Sequence, residues 1–189
     1  TVEIGGISGE SGTYIMGSSK NTKNFTCTWK VGYANTNETF KGKINNWSCS
    51  GSGYTGTVNI TKVGTGDWRL TGSNDYKGTT SIAGGRLIVN GTNSGTGQVI
   101  VAADATLAGK GTVAGKVTVM ADATVYAGDT LINSQTLKLT GGCTINEGAV
   151  VEVPLYSSNG ATKCNRLQVT GNFQIDGATL RLNMSETEG

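Results

Sequence analysis

Few residues in this chain are equipped for chemistry. There is no histidine, which excludes a His general base, a Ser-His-Asp triad and His-ligated zinc. The cysteines Cys27, Cys49, Cys143 and Cys164 form no Cys-x-x-Cys pair, which argues against zinc-ribbon and thioredoxin chemistry. The aspartates are Asp67, Asp75, Asp104, Asp122, Asp129 and Asp176. Asp104 and Asp122 occupy equivalent places in a duplicated Ala-Asp-Ala-Thr segment. If the duplicates stack at strand spacing, about 4.8 Å, their carboxylates approach the separation used by retaining glycosidases. Asp in that segment is better explained as a turn former, duplicated because the unit around it is duplicated. Gly64-Thr65-Gly66 and Gly109-Lys110-Gly111 precede no helical pattern, so they are not phosphate loops. No calcium-loop motif is present. The chain is expected to be no enzyme, with no cofactor and no metal.

The aromatic residues offer a binding chemistry instead, because exposed rings suit sugars. Trp29, Trp47, Trp68, Tyr33, Tyr54 and Tyr76 all lie in the first half. Trp29 is in phase with Phe25, Cys27 and Val31, and Trp68 with Leu70, which predicts burial of both. Trp47 and Tyr54 sit in the Gly/Ser/Asn-rich stretch 45–57 and are the candidate ligand-surface aromatics.

The elements that must carry these side chains read as strands. Gly is high at 30 and Pro is 1, which does not fit a disordered linker. A net charge of +2 gives no drive toward nucleic acid, and no apolar run is long enough to span a bilayer. Alternation of period two recurs at Val58/Ile60, Leu87/Val89, Val99/Val101, Val117/Val119, Leu137/Leu139, Leu167/Val169 and Leu180/Leu182, separated by Gly-rich breaks. Internal repeats then choose among sandwich, barrel and solenoid. Val99–Leu107 recurs as Val117–Val125, and Leu137–Ile145 recurs at a longer interval as Leu167–Ile175. The second match continues one residue out of step, Gly148–Val153 against Gly177–Leu182. Stacked coils explain why successive units look alike. The predicted fold is all-β, a right-handed single-stranded parallel β-helix. Residues 1–57 are read as irregular N-terminal coils, 58–129 as the best-matching repeat, and 130–189 as C-terminal coils with a loop at 154–166.

The stretch from Val63 to Asn90 resembles the autotransporter-associated β-strand repeat. Its Gly64-Thr65-Gly66, its Leu70-Thr71-Gly72-Ser73-Asn74-Asp75-Tyr76-Lys77-Gly78 and its Gly85-Arg86-Leu87 carry the likeness. Ala105-Thr106-Leu107-Ala108-Gly109-Lys110-Gly111-Thr112-Val113 is similar to the coils that follow such repeats. The resemblance implies a passenger-type β-helix of an exported bacterial protein and no particular activity. The motif residues have structural roles: Gly72, Asn74 and Gly78 suit turns, Asn74 bonds backbone or stacks between coils, and Tyr76 packs at a corner.

The expected role is therefore structural or adhesive, in a protein that is secreted or held on the exterior of the bacterial outer membrane. The alternative is an accessory or carbohydrate-binding region of a polysaccharide-degrading enzyme. Expected partners are host or dietary glycans or other surface proteins, without nucleic acid and without a direct membrane span. The chain opens at Thr1-Val2-Glu3-Ile4, as a mature product or a piece of something longer would. A solenoid without caps exposes a coil edge, so end-to-end self-association is also expected. An even number of cysteines leans toward an oxidising compartment and two disulfides, with four free thiols acting as small apolar side chains as the alternative. Cys143 and Cys164 are spaced by about one coil, as are Cys27 and Cys49, which makes these the candidate pairs.

Overall fold

A computed structural model describes residues 1–17, 24–49, 54–129, 134–158 and 161–186. Within these residues the backbone is strand, turn and bend, with no helix. The strands stack into three faces about one axis. Face A runs Val2–Ile4, Phe25–Val31, Tyr54–Lys62, Thr80–Ile82, Val99–Val101, Val117–Val119, Cys143–Ile145 and Phe173–Ile175. Face B runs Glu38–Phe40, Asp67–Leu70, Arg86–Val89, Thr106–Gly109, Thr124–Ala127, Val150–Ser158 and Thr179–Glu186. Face C runs Ser73–Asn74, Thr92–Asn93, Thr112–Val113, Thr136–Leu139 and Arg166–Val169. The pair Tyr14–Met16 and Lys43–Asn45 precedes it, linked by the bond from the Asp75 amide to the Ile44 carbonyl, 3.1 Å. From Phe25 onward the chain visits A, B and C in turn. Neighbours within a face are parallel, and the strand pairings that break the rule are two hairpins. This is a parallel β-solenoid.

The register reproduces the sequence repeats. Val99 pairs with Val117 and Leu107 with Val125, which is the shorter repeat. Leu137 pairs with Leu167 and Cys143 with Phe173, which is the longer one, and Val151 then pairs with Leu180, one residue out of step. On face A the aligned positions Val2, Trp29, Ile60, Thr80, Val99, Val117, Cys143 and Phe173 mark successive coils. The chain between them is shortest from Val99 to Val117 and longest from Trp29 to Ile60 and from Cys143 to Phe173. The solenoid has a narrow waist between two wider ends.

Alternation puts every second side chain inside, where it stacks on its equivalents. Leu87, Val89, Val99, Val101, Val117 and Val119 are all buried, as expected. One interior column of face A reads Ile4, Val31, Lys62, Ile82, Val101, Val119, Ile145 and Ile175. Lys62 is its polar member and is 1% exposed. Its ammonium donates to the carbonyls of Val63, Gly64 and Gly84 at 2.7, 3.1 and 3.1 Å, so the aliphatic stem fills the column while the charge sits in a backbone turn. On face C, Asn74 and Asn93 stack in register. Asn74 Oδ1 accepts the Ile44 amide at 2.8 Å, and the Tyr76 hydroxyl, buried at the corner, meets Thr80 Oγ1 at 2.7 Å and Asn93 Nδ2 at 3.2 Å.

Two columns of glycine mark the corners. A Cβ on Gly72, Gly91 or Gly111 would collide with the carbonyl of Gly42, Gly72 or Gly91 in the coil before. Gly78, Gly97 and Gly115 stand in the same relation to Val58, Gly78 and Gly97. The corners require the absence of a side chain, because the backbone of one coil rests on the backbone of the last.

Two expectations are corrected. The segment 154–166 is no loop: Val150–Ser158 runs on past the coil and pairs antiparallel with Ala161–Cys164. Cys143 and Cys164 are not bridged. Cys143 is buried in the face A interior beside Phe173, Cys164 is exposed on the hairpin opposite Leu155, and both are free thiols. Cys27 is likewise a free, buried thiol, while the Cys49 side chain lies outside the described residues. Within 1–57, Val2–Ile4 and Phe25–Val31 join face A and Glu38–Phe40 joins face B by longer steps, Tyr14–Met16 and Lys43–Asn45 pair by themselves, and Trp47–Cys49 returns on the start of Tyr54–Lys62 as a hairpin.

The two ends differ. Near the first coil, the Ile7 carbonyl accepts the Trp68 indole at 3.0 Å and Gly9 bridges to Phe40. At the far end, Phe173, Ile175, Leu180, Leu182 and Met184 are exposed although the first four continue interior columns.

Candidate ligand-binding groove

Trp47 and Tyr54 lie on the two strands of the face A hairpin, and their side chains are outside the described residues. Asp104 and Asp122 stand at exposed turns with left-handed φ of 61° and 60°. The Asp104 amide bonds the Asp122 carbonyl at 3.1 Å. Both therefore serve the turn, since Asp is among the residues that tolerate this conformation. Among the described residues no group of three or more Cys, Asp or Glu gathers that could hold a metal ion.

The functional side chains that do converge are the outward positions of face B. Asp67, Arg86, Thr106 and Thr124 stand in one row, in register across successive coils. Arg69, Tyr126, Glu152 and Arg181 belong to the next row, in which the intervening Ile88 and Ala108 are buried. Asp129 lies over the start of these rows. Its carboxylate takes both Nε and an Nη of Arg69 at 3.1 and 2.8 Å and the Asn90 amide at 2.7 Å. Its own backbone amide donates to Gln135 at 2.7 Å. Burial alone would raise the Asp129 carboxyl; the hydrogen bonds from Arg69 and Asn90 and the charges of Arg69 and Arg86 outweigh it and hold the group below its ordinary value. The Arg69 guanidinium is raised in turn by its bond to Asp129.

Arg86 is held differently. It stacks over the Tyr126 ring at 5.5 Å, a cation–π geometry. It lies 3.8 Å from the Asp67 carboxylate and reaches the Asp129 carbonyl at 3.5 Å. Its Nε is buried with no partner among the described residues. Burial raises the Tyr126 phenol and the Glu152 charge adds to that, so the ring carries a neutral hydroxyl. Glu152 accepts from Arg181 at 3.3 Å and from Asn183. Between Arg86 and Asp129 at one end and Glu152 and Asn183 at the other lies a groove of about 540 Å³, with Thr106, Thr124 and Tyr126 along it. It offers guanidinium and amide donors, carboxylate acceptors and hydroxyls that act as either.

None of these side chains stands out by type or spacing in the sequence. They are scattered from Asp67 to Asn183, and only the register of unequal coils aligns them. The available signal is a large polar residue between two interior ones, as in Trp68-Arg69-Leu70 and Val125-Tyr126-Ala127.

Residues 60–89 match the model of the passenger-associated-transport-repeat. No curated protein and no solved structure matches the chain. The match covers the coil that carries Lys62, Trp68, Asn74 and Tyr76 and the face B strand that follows it. About a coil and a half of this all-β solenoid thus matches the passenger-associated-transport-repeat, as the resemblance at 63–90 implied.

Proposed function

We propose that the chain is a non-catalytic structural and adhesive region of a secreted or cell-surface bacterial protein, standing outside the outer membrane. The observation that carries this reading is the continuous parallel stack with a passenger-associated repeat within it. A solenoid spends its residues on length and on outward surface, and each added coil extends both. Its partners in this reading are glycans or other surface proteins, met by the outward faces, and a second copy met end to end. The test is display of the chain on a non-adherent bacterium. Adherence to glycan-coated or cell-coated surfaces above the empty display vector is expected. Display without adherence, or turnover of polysaccharide, peptide or ester substrates by the purified chain, overturns it.

The groove on face B supports a second reading, an accessory carbohydrate-binding region of a polysaccharide-degrading protein. The two differ in what the bound sugar is for. A catalytic domain in the same reading frame favours the second, and adherence by the displayed chain alone favours the first.

A further inference from the structure

The groove on face B has a chemistry narrow enough to name its ligand. We propose that it binds a neutral, extended polysaccharide lying along the solenoid axis; this rests on the reading of the chain as a glycan-meeting surface protein.

Charge gives the first argument. Arg69 is bonded to Asp129 and Arg181 to Glu152, and the Asp67 carboxylate stands 3.8 Å from Arg86, so the charges on this face balance. A polyanion would meet Glu152 and Asp129 and a polycation would meet Arg86, each at a like-charge cost. A polyhydroxylated neutral chain meets no such penalty and uses both donors and acceptors.

Register gives the second. Thr106 and Thr124 are direct partners on successive coils, about 4.8 Å apart. A pyranose unit in an extended chain is about as long as one coil is thick. Two successive sugars running along the axis therefore each meet a threonine hydroxyl, with Arg86 in the same row one coil before. Tyr126 and Glu152 stand in register in the adjoining row and meet the same chain from the side.

Arg86 supplies the third. The Arg69 fork is filled by Asp129, whereas Arg86 is held only by long contacts, 3.8 Å to the Asp67 carboxylate and 3.5 Å to the Asp129 carbonyl. Its guanidinium lies over the Tyr126 ring with the side chain 36% exposed, so its terminal nitrogens can turn from these long contacts to a sugar hydroxyl at the end of the groove.

The experiment is calorimetric titration of the purified chain with cellotetraose, xylotetraose, mannotetraose and tetragalacturonate, each to about 5 mM so that a millimolar site is seen. At least one neutral tetrasaccharide binds, and more tightly than tetragalacturonate. Arg86→Gln and Tyr126→Ala each weaken that binding at least tenfold, Thr124→Val weakens it less, and Lys138→Gln on face C leaves it unchanged. Circular dichroism melts confirm that the variants are folded; should Tyr126→Ala fail to fold, Tyr126→Phe and Arg86→Lys carry the comparison. No binding by any neutral tetrasaccharide, preference for tetragalacturonate, or binding untouched by Arg86→Gln overturns the proposal. The adhesive reading fails separately, when the groove binds sugar but the displayed chain confers no adherence.

Discussion

Lys62 is the residue on which the interior depends most unusually. Its ammonium is the partner of three carbonyls in a turn, and its stem is one member of an aliphatic column. Desolvation lowers its pKa from the ordinary 10.5. Between the lowered folded value and 10.5 the unfolded chain holds the proton more often than the folded one, so this residue makes stability rise with pH across that window. Lys62→Met keeps the stem and leaves the three carbonyls without the donor, at a cost of about 1–3 kcal/mol. Urea midpoints at about pH 8 and about pH 10 check both parts: the variant is less stable, and the gap between wild type and variant widens at the higher pH. Cysteine reactivity provides a second expectation. Burial pushes the Cys143 thiol up to about 11, while Cys164 is exposed. In the native protein at about pH 8 iodoacetamide therefore alkylates Cys164 well before Cys143, because only the thiolate reacts. Mass mapping of the alkylated peptides decides it, and equal resistance of both would restore the bridge.

At the scale of the element, the corners set the spacing of the coils. Gly97 rests on the carbonyl of Gly78 and supports Gly115 in the next coil. Gly97→Ala must push two coils apart, at about 1–3 kcal/mol, and a thermal melt should show the loss. The same change at Gly12, where an added Cβ meets nothing within 4 Å, costs only the strain of its positive φ. Much of this architecture was legible in the sequence because a solenoid writes its contacts as repeats. The short repeat from Val99 to Val117 and the long one from Cys143 to Phe173 are the register itself, down to the slip between Val151 and Leu180. What was hidden follows from unequal coils. The spacing of Cys143 and Cys164 suggests a single coil between them, but the coil that begins at Cys143 closes only at Phe173. Its extra length is the hairpin of Val150–Ser158 and Ala161–Cys164. In the sequence, Pro154 speaks for a loop and masks the alternation of Val151, Val153 and Leu155. The groove was hidden for the same reason, since Arg86 and Tyr126 meet only once the intervening coils have been counted correctly.

At the scale of the molecule, the described residues leave the last coil with an exposed apolar edge. Phe173, Ile175, Leu180 and Leu182 continue interior columns but have no coil stacked on them among the described residues, and an apolar hollow of about 200 Å³ lies among Val151, Phe173, Ile175 and Leu180. Sedimentation velocity should show concentration-dependent association of the chain, reduced by the pair Leu180→Lys and Met184→Lys; a monomer at every concentration tested would remove the self-association expected of this end. The uneven coils have a mechanical consequence. Ladder hydrogen bonds in a solenoid point along its axis, so tension between the ends loads them directly and peels one turn at a time. Each turn released adds its contour length, at roughly 3.4 Å per residue. The waist coil from Val99 to Val117 yields roughly 60 Å, and the last, from Cys143 to Phe173, roughly 100 Å. Stretched in an optical trap, the protein would lengthen in steps of unequal size, and the size of a step would tell a coil of the waist from a coil of the wider ends.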